Sequence, residues 1–278
     1  MSALAALLGA FTLEPAGEGR YRAGSAAVGP GVVFGGQLIG QSMLAAGRDH
    51  PDKVVKTVHT VFARGASFDQ SLDVDVDAMQ AGRTFASSTV TIRQDGRLCT
   101  RSVVLLTAVE DDLVRHAAEM PEVAAPEAGT PDRSGLGSDD WEIRLPAGVD
   151  VGDPARVGPP ELDVWTRFVG APDDDPAVAQ ALVAYTTDPF LIATALRPHE
   201  GFGQDQVHDT LSTGVVSHTL TFHEPVHADR WLLLCHDSPY AGHGRAYGRA
   251  HVFQDGALVA SFVQDAMVRA MPGGRSGL

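Results

Sequence analysis

Two hydrophobic periods alternate along the chain. Between positions 72 and 78, Leu72, Val74, Val76 and Ala78 alternate with Asp73, Asp75 and Asp77, a period of two that predicts an antiparallel strand with one wet face. Strands are likewise expected over residues 54–62, 84–93 and 98–108. The last two are joined through Asp95-Gly96, the strongest short hairpin signal. Ahead of this meander, residues 1–12 predict a short amphipathic helix, and residues 20–27 a first strand leading into a turn at Gly29, Pro30 and Gly31. Residues 34–47, FGGQLIGQSMLAAG, are small and apolar and carry no charge until Arg48. That pattern predicts a helix buried on most sides. Gly35 and Gly36 would stand at its start, where free amides favour an electron-rich oxygen, unless they serve only a tight turn and close packing.

Residues 109–160 lose periodicity and are rich in Ala, Pro, Gly, Asp and Glu, as in a linker crossing a surface. Trp141 and Ile143 are expected to dock part of it. A strand is expected at 161–168, then the acidic loop Pro172 to Pro176, then a second helical run containing AYTTDPFLIATALRPH, residues 184–199. The second half repeats the first: residues 58–62 (VHTVF) answer SHTLTF (217–222), Gly82-Arg83 answers Gly244-Arg245, and Gln94-Asp95-Gly96 answers Gln254-Asp255-Gly256. Three markers at matched spacing imply an internal duplication. The expected units are residues 1–108, a linker at 109–160, and residues 161–278, each repeat an α+β unit of one helix wrapped by an antiparallel sheet.

Charge narrows the function. A chain of 278 residues with 44% hydrophobic residues supports a substantial core. A formal charge of −14 argues against nucleic acid or an anionic membrane as partner, since both select basic patches. Lysine occurs only at Lys53 and Lys56, so a phosphate clamp would be built from arginine forks. Cys99 and Cys235 are the only cysteines and form no CxxC pair, so both read as small buried apolar groups in a reducing compartment. The N-terminus lacks a basic region ahead of its apolar run, and no apolar run reaches membrane-span length. A cytoplasmic location is expected.

Histidines at 208, 218, 223, 227, 236, 243 and 251 raise a metal hypothesis. His218 and His223 are an odd number apart on a strand and face opposite ways, and HExxH spacing is absent. No metal site and no cofactor are expected. GxSxG, Walker and GxGxxG signatures are absent as well.

That leaves Asp188, an acid inside an apolar, neutral run just before Pro189. Taken alone it reads as a cap or turn aspartate. Its surroundings carry more. FGGQ with QSMLAA, HTVF, AGRTF, YTTDPFLIATALRPH, SHTLTFHEPV, RWLLL and LVASFVQDAMVR, in this order and spacing, resemble the type II acyl-CoA thioesterases, the TesB-like double-hotdog proteins. The resemblance implies two tandem hotdog repeats with joined sheets, each round a long central helix, hydrolysing an acyl-CoA to a carboxylic acid and free CoA. It implies a water positioned by an Asp, matched by Asp188, a Gln, matched by Gln264, and a Thr or Ser. The hydroxyl position falls on Val215, so Ser217 or Thr213, expected on the same face, would have to supply it. Asp265 and Ala266 replace the family's usual Glu and Gly beside the Gln. Gly35 and Gly36 are the expected donors to the thioester carbonyl.

The duplication tests the pair independently of the resemblance. Aligning Arg48 with Arg197 sets Ile39 opposite Asp188, and aligning the Asp-Gly turns sets Val104 opposite Gln264. The polar pair occurs in one repeat only, as a single chemical site per chain requires and core packing does not. The hydratase pattern Asp-x-Asn-Pro-x-His is not met at Asp188-Pro189-Phe190-Leu191. The alternative kept open is an acyl-CoA-binding hotdog with little turnover. The partner expected is acyl-CoA, and homo-oligomers stay open.

Overall fold

A computed structural model describes residues 2–27, 31–133 and 135–271. Gly29 and Pro30 of the expected turn lie outside the described residues. In the first half, α1 (Ala3–Ala10) is capped by the Ser2 hydroxyl. A small hairpin, β1 (Leu13–Gly17) and β2 (Arg20–Ala23), leads to α2 (Gly35–Gly47). The meander is β3 (Val54–Phe62), β4 (Leu72–Ala81), β5 (Phe85–Gln94) and β6 (Arg97–Thr107), at the expected places. Strand β2 stops at Ala23, short of the expected 27.

Within 109–160, β7 (Thr130–Pro131) and β8 (Trp141–Leu145) add strands beside β9 (Glu161–Phe168). Trp141 is buried, stacked on Phe168 with centroids 5.5 Å apart, and donates its indole N–H to Thr166 Oγ1 at 2.9 Å. The rest is α3 (Pro176–Thr186), α4 (Leu191–Leu196), β10 (Leu211–Phe222), β11 (Leu232–Gly242), β12 (Arg245–Gln254) and β13 (Ala257–Ala270).

The thirteen strands among the described residues form one sheet in the order β1-β2-β4-β5-β6-β3-β10-β13-β12-β11-β9-β8-β7. The halves join where β3 and β10 pair antiparallel, His218 opposite Thr60. The first half wraps α2 and the second packs on α4, the double-hotdog arrangement. The long central helix expected in the second repeat is, however, two helices broken at Thr187–Phe190. Pro189 cannot donate to a helical ladder, and Phe190 sits at φ 77°, the left-handed region, so the chain turns there. Helices α2 and α3 approach to backbone contact: a Cβ on Gly36 would lie 2.7 Å from the Tyr185 carbonyl oxygen. The packing role considered for this glycine holds.

The duplication is visible at atomic detail with a constant offset of 160. Gln94 accepts from the Ser67 N–H and donates to the Ser67 carbonyl, both at 2.7 Å. Gln254 does the same to His227, at 2.9 and 2.7 Å. Both Asp-Gly turns carry positive φ, 50° and 73° in the first, 50° and 84° in the second. Bulges recur too, at Val55/Thr57 in β3 and Val215/Ser217 in β10.

Those bulges correct one expected correspondence. Pairing VHTVF with SHTLTF sets His59 against His218, an offset of 159, but a slip of one residue reverses every side chain of a strand. At the true offset Val58 answers His218: Val58 pairs with Val104 across the sheet as His218 pairs with Gln264. His59 is exposed and bonds Thr219, whereas His218 is 1% exposed. His223 faces outward to Ser261, opposite to His218 as the spacing required.

Candidate active site

The break between α3 and α4 puts Asp188 against the start of α2. The amino-terminal residue flanking α2, Phe34, offers no side-chain cap. The Asp188 carboxylate takes that place from across the fold. A Cβ on Gly35 would lie 2.9 Å and 3.1 Å from its two oxygens, so only glycine admits the carboxylate here. Burial pushes the Asp188 carboxyl up to about 7, and the amides of Gly35 and Gly36 pull against that rise without cancelling it. The amides expected to polarise a thioester carbonyl thus also act on the Asp188 carboxyl, and Gly35 lines the cavity beside it. Oδ1 is buried and has no hydrogen-bond partner among the described residues.

Asp188 opens onto a cavity of about 560 Å³. Apolar side chains dominate its wall, among them Val33, Phe34, Leu38, Phe62 and Ile192. Thr213 and Val215 come from β10, and Arg64 and His208 bring positive or polar character. Buried apolar walls with few convergent polar groups suit a small organic ligand.

Thr213 is 1% exposed, and its Oγ1, like Asp188 Oδ1, is buried without a partner. Val215 lines the cavity as well, with no hydroxyl to offer. Ser217 does not join them. The bulge at Val215/Ser217 reverses the alternation, and Ser217 donates to Asp265 Oδ2 at 3.2 Å on the outer face. The expectation that Ser217 and Thr213 share the Val215 face therefore holds for Thr213 and fails for Ser217.

Gln264 stands behind the cavity wall. Its Nε2 donates to the Asp188 backbone carbonyl at 3.0 Å and lies 3.4 Å from His218 Nδ1. A carbonyl accepts only, so the amide nitrogen must face Asp188. Gln264 Oε1 is then a buried acceptor without a partner among the described residues. Asp188 and Thr213 thus line one cavity, Gln264 bonds to the Asp188 backbone behind it, and each of the three carries a buried oxygen without a partner among the described residues. Such groups in a native fold call for a missing donor or acceptor.

In the other repeat the corresponding places are closed. Ile39 and Val104 are 0% exposed and belong to the hydrophobic core. Sequence reasoning missed His218, which is fully buried and held against Gln264. The signal was present: the 160 offset of the Asp-Gly turns, carried along the whole repeat, sets valine opposite this histidine.

Elsewhere, Cys99 is buried as expected, but Cys235 is only half-buried, its thiol facing an outer groove on the sheet. No group of three or more metal-ligating side chains occurs among the described residues, and no helix among them is long and apolar enough to cross a membrane.

The family model described as acyl-CoA thioesterase N-terminal domain matches residues 23–108, and the acyl-CoA thioesterase C-terminal domain matches 116–268. Acyl-CoA thioesterase 2 of Haemophilus influenzae is 27% identical over 95% of this chain and 96% of its own length. Human acyl-coenzyme A thioesterase 8 is 26% identical over 94% and 88%. Among solved structures, a tesB protein of Mycobacterium avium subspecies paratuberculosis superposes with a TM-score of 0.81 at 26% identity, covering 96% of this chain and 99% of that one. A hot dog fold protein of Alicyclobacillus acidocaldarius superposes at 0.76 with 20% identity, covering 96% and 99%, which bears on the fold alone.

Proposed function

The chain belongs to the acyl-CoA thioesterase family, and we propose that it hydrolyses an acyl-CoA thioester to a carboxylic acid and free CoA at the Asp188 cavity. The observation that carries this reading is a buried carboxylate with an unpaired oxygen, Asp188, lining an apolar cavity, with Gln264 bonded to its backbone. A buried water needs two to four polar partners, and in this reading Asp188, Gln264 and Thr213 are those partners. One water hydrogen would point to the Asp188 carboxylate, the other to Gln264 Oε1, and the Thr213 hydroxyl would hold the oxygen. The acyl chain would lie along Phe34, Leu38, Phe62 and Ile192.

In the reaction the water oxygen attacks the thioester carbonyl carbon as its proton passes to Asp188. The tetrahedral intermediate then collapses, the C–S bond breaks, and the departing sulfur takes the proton back from Asp188. A carboxyl pushed up to about 7 is suited to both transfers, because an acid or base works best with a pKa near the working pH. A thioester is activated enough that a held water suffices without a covalent intermediate. The bare Val215 position is what favours a binder without turnover; in the hydrolytic reading Thr213, which lines the same cavity two residues away, supplies the hydroxyl.

The test is release of free thiol from acyl-CoAs of graded chain length by wild type, Asp188→Asn and Gln264→Ala. The expected result is measurable hydrolysis by wild type and a loss of roughly 10²-fold or more in Asp188→Asn. Stoichiometric binding without thiol release by wild type would refute the enzyme reading.

A further inference from the structure

Val58 and Val104, buried and packed on each other across the sheet in the first repeat, are replaced at the same places in the second by His218 and Gln264. Exchanging two apolar groups for two polar ones inside a core is costly unless every donor and acceptor is satisfied. The hydrogen bonds form one connected chain. Gln264 Nε2 has two N–H groups, one given to the Asp188 carbonyl and the other directed at His218 Nδ1. Nδ1 is then the acceptor, and the ring proton sits on Nε2. His218 Nε2 lies 3.1 Å from Thr187 Oγ1, which itself donates to the Ala184 carbonyl at 2.8 Å. Thr187 is 0% exposed and stands at the end of α3, one residue before Asp188. The ring is also stacked on Phe262, centroids 5.3 Å apart.

The geometry points to His218 as a positioning residue: it locks the Gln264 amide, through the Thr187 anchor, so that Oε1 and not the nitrogen faces the attacking water. This rests on the hydrolytic reading above. His218 lies outside the cavity wall and takes no proton. Burial, with a contribution from His59, pushes its imidazole down to about 3, so it stays neutral through the working range. Its part is to accept one N–H and fix the amide's rotation. Without that acceptor, the second N–H of Gln264 has no partner, and the amide, held by the Asp188 carbonyl alone, is free to tilt and carry Oε1 away from the water.

The test compares His218→Leu, which removes both ring nitrogens, with His218→Asn, whose side-chain oxygen can stand near the Nδ1 position. Free-thiol kinetics are measured for both, alone and with Gln264→Ala, beside Asp188→Asn. His218→Leu is expected to lower kcat about tenfold or more with KM within about twofold, and His218→Asn to recover most of the loss. On the Gln264→Ala background His218→Leu should cost nothing further, since it acts through Gln264. The proposal is overturned if folded His218→Leu keeps kcat within about twofold of wild type, if folded His218→Asn is as slow as His218→Leu, or if the loss persists on Gln264→Ala. Should His218→Leu fail to fold, the decision passes to folded His218→Asn: near-wild-type kcat upholds the proposal, and a deep loss overturns it. Asp188→Asn separates the two readings. If it is inactive while His218→Leu is unimpaired, only the positioning role fails; if it turns over at the wild-type rate, the hydrolytic reading itself fails.

Discussion

Replacing Asp188 with Asn should reveal a trade between stability and chemistry that follows from the burial of one carboxyl. Its pKa is raised from 3.8 to about 7, and at ~1.36 kcal/mol per unit the shift corresponds to about 4 kcal/mol. The direction is fixed by proton counting. Below pH 3.8 both folded and unfolded chains hold the proton, and above 7 neither does. Between them the folded chain keeps a proton that the unfolded chain has lost, so folding stability falls as pH rises through this window. Asp188 thus favours the fold when neutral and works against it when ionised. Asparagine keeps the shape and cannot ionise. The stability of Asp188→Asn relative to wild type should therefore increase with pH from 4 to 8, by an amount on the order of 4 kcal/mol. Subtracting the two curves removes every other titrating group. The assay is denaturant unfolding of both proteins at half-unit steps, with thiol release measured in parallel. Wild-type kcat should fall about tenfold per unit below pH 7, as the base is protonated, while the variant stays at its low rate throughout. A stability difference that is flat between pH 5 and 8 would show that the carboxyl is ordinary and would refute the reasoning from burial.

Three further outcomes follow from the geometry. Gly35→Ala would drive a Cβ to 2.9 Å from an Asp188 oxygen and 3.2 Å from the Phe62 ring. The carboxylate, as the end of a side chain, gives way, and kcat should drop about tenfold or more, with thermal melting showing whether the fold survives. Thr213→Val should lower kcat by roughly five- to tenfold, the worth of one hydrogen bond, whereas Ser217→Ala should leave it unchanged because its hydroxyl is spent on Asp265 outside; equal effects in steady-state assays would contradict the bulge. Arg64 is exposed at the cavity rim and has no ion-pair partner among the described residues. Arg64→Gln should raise KM for acyl-CoA about tenfold through loss of a charge-assisted bond to a phosphate, but leave N-acetylcysteamine thioesters, which have no phosphate, unaffected.

The meander strands of the first half were legible from their period of two and those of the second from the duplication, and the two Asp-Gly turns carry the positive φ such turns need; β1, β7 and β8 were not anticipated. Asp188 was legible as an acid without a local reason. Its setting was less so. Pro189 marked the break in the second helical run, but only the fold shows that the break delivers a carboxylate to the start of α2. The apolar composition of 34–47 predicted its burial, while the pull of the Gly35 and Gly36 amides on the Asp188 carboxyl acts between residues more than 150 positions apart, which no local pattern shows.

The residues misjudged share one cause. Simple alternation from Val215 places Ser217 inside and His218 outside, and the structure places Ser217 outside and His218 inside. One bulge accounts for both, since an extra residue on one strand exchanges the two faces beyond it. A bulge has no strong local signature in Val215-Val216-Ser217, so alternation could not reveal it. The duplication could. A bulge at the same place in both repeats cancels when one repeat is aligned on the other, whereas it does not cancel when parity is counted along a single strand. Fixed on the Asp-Gly turns, the offset of 160 sets Val58 against His218 and Val104 against Gln264, the two partners of one cross-strand pair. Read this way, the repeat carries more than confirmation of a single site: where the first repeat buries Ile39, Val58 and Val104, the second buries Asp188, His218 and Gln264.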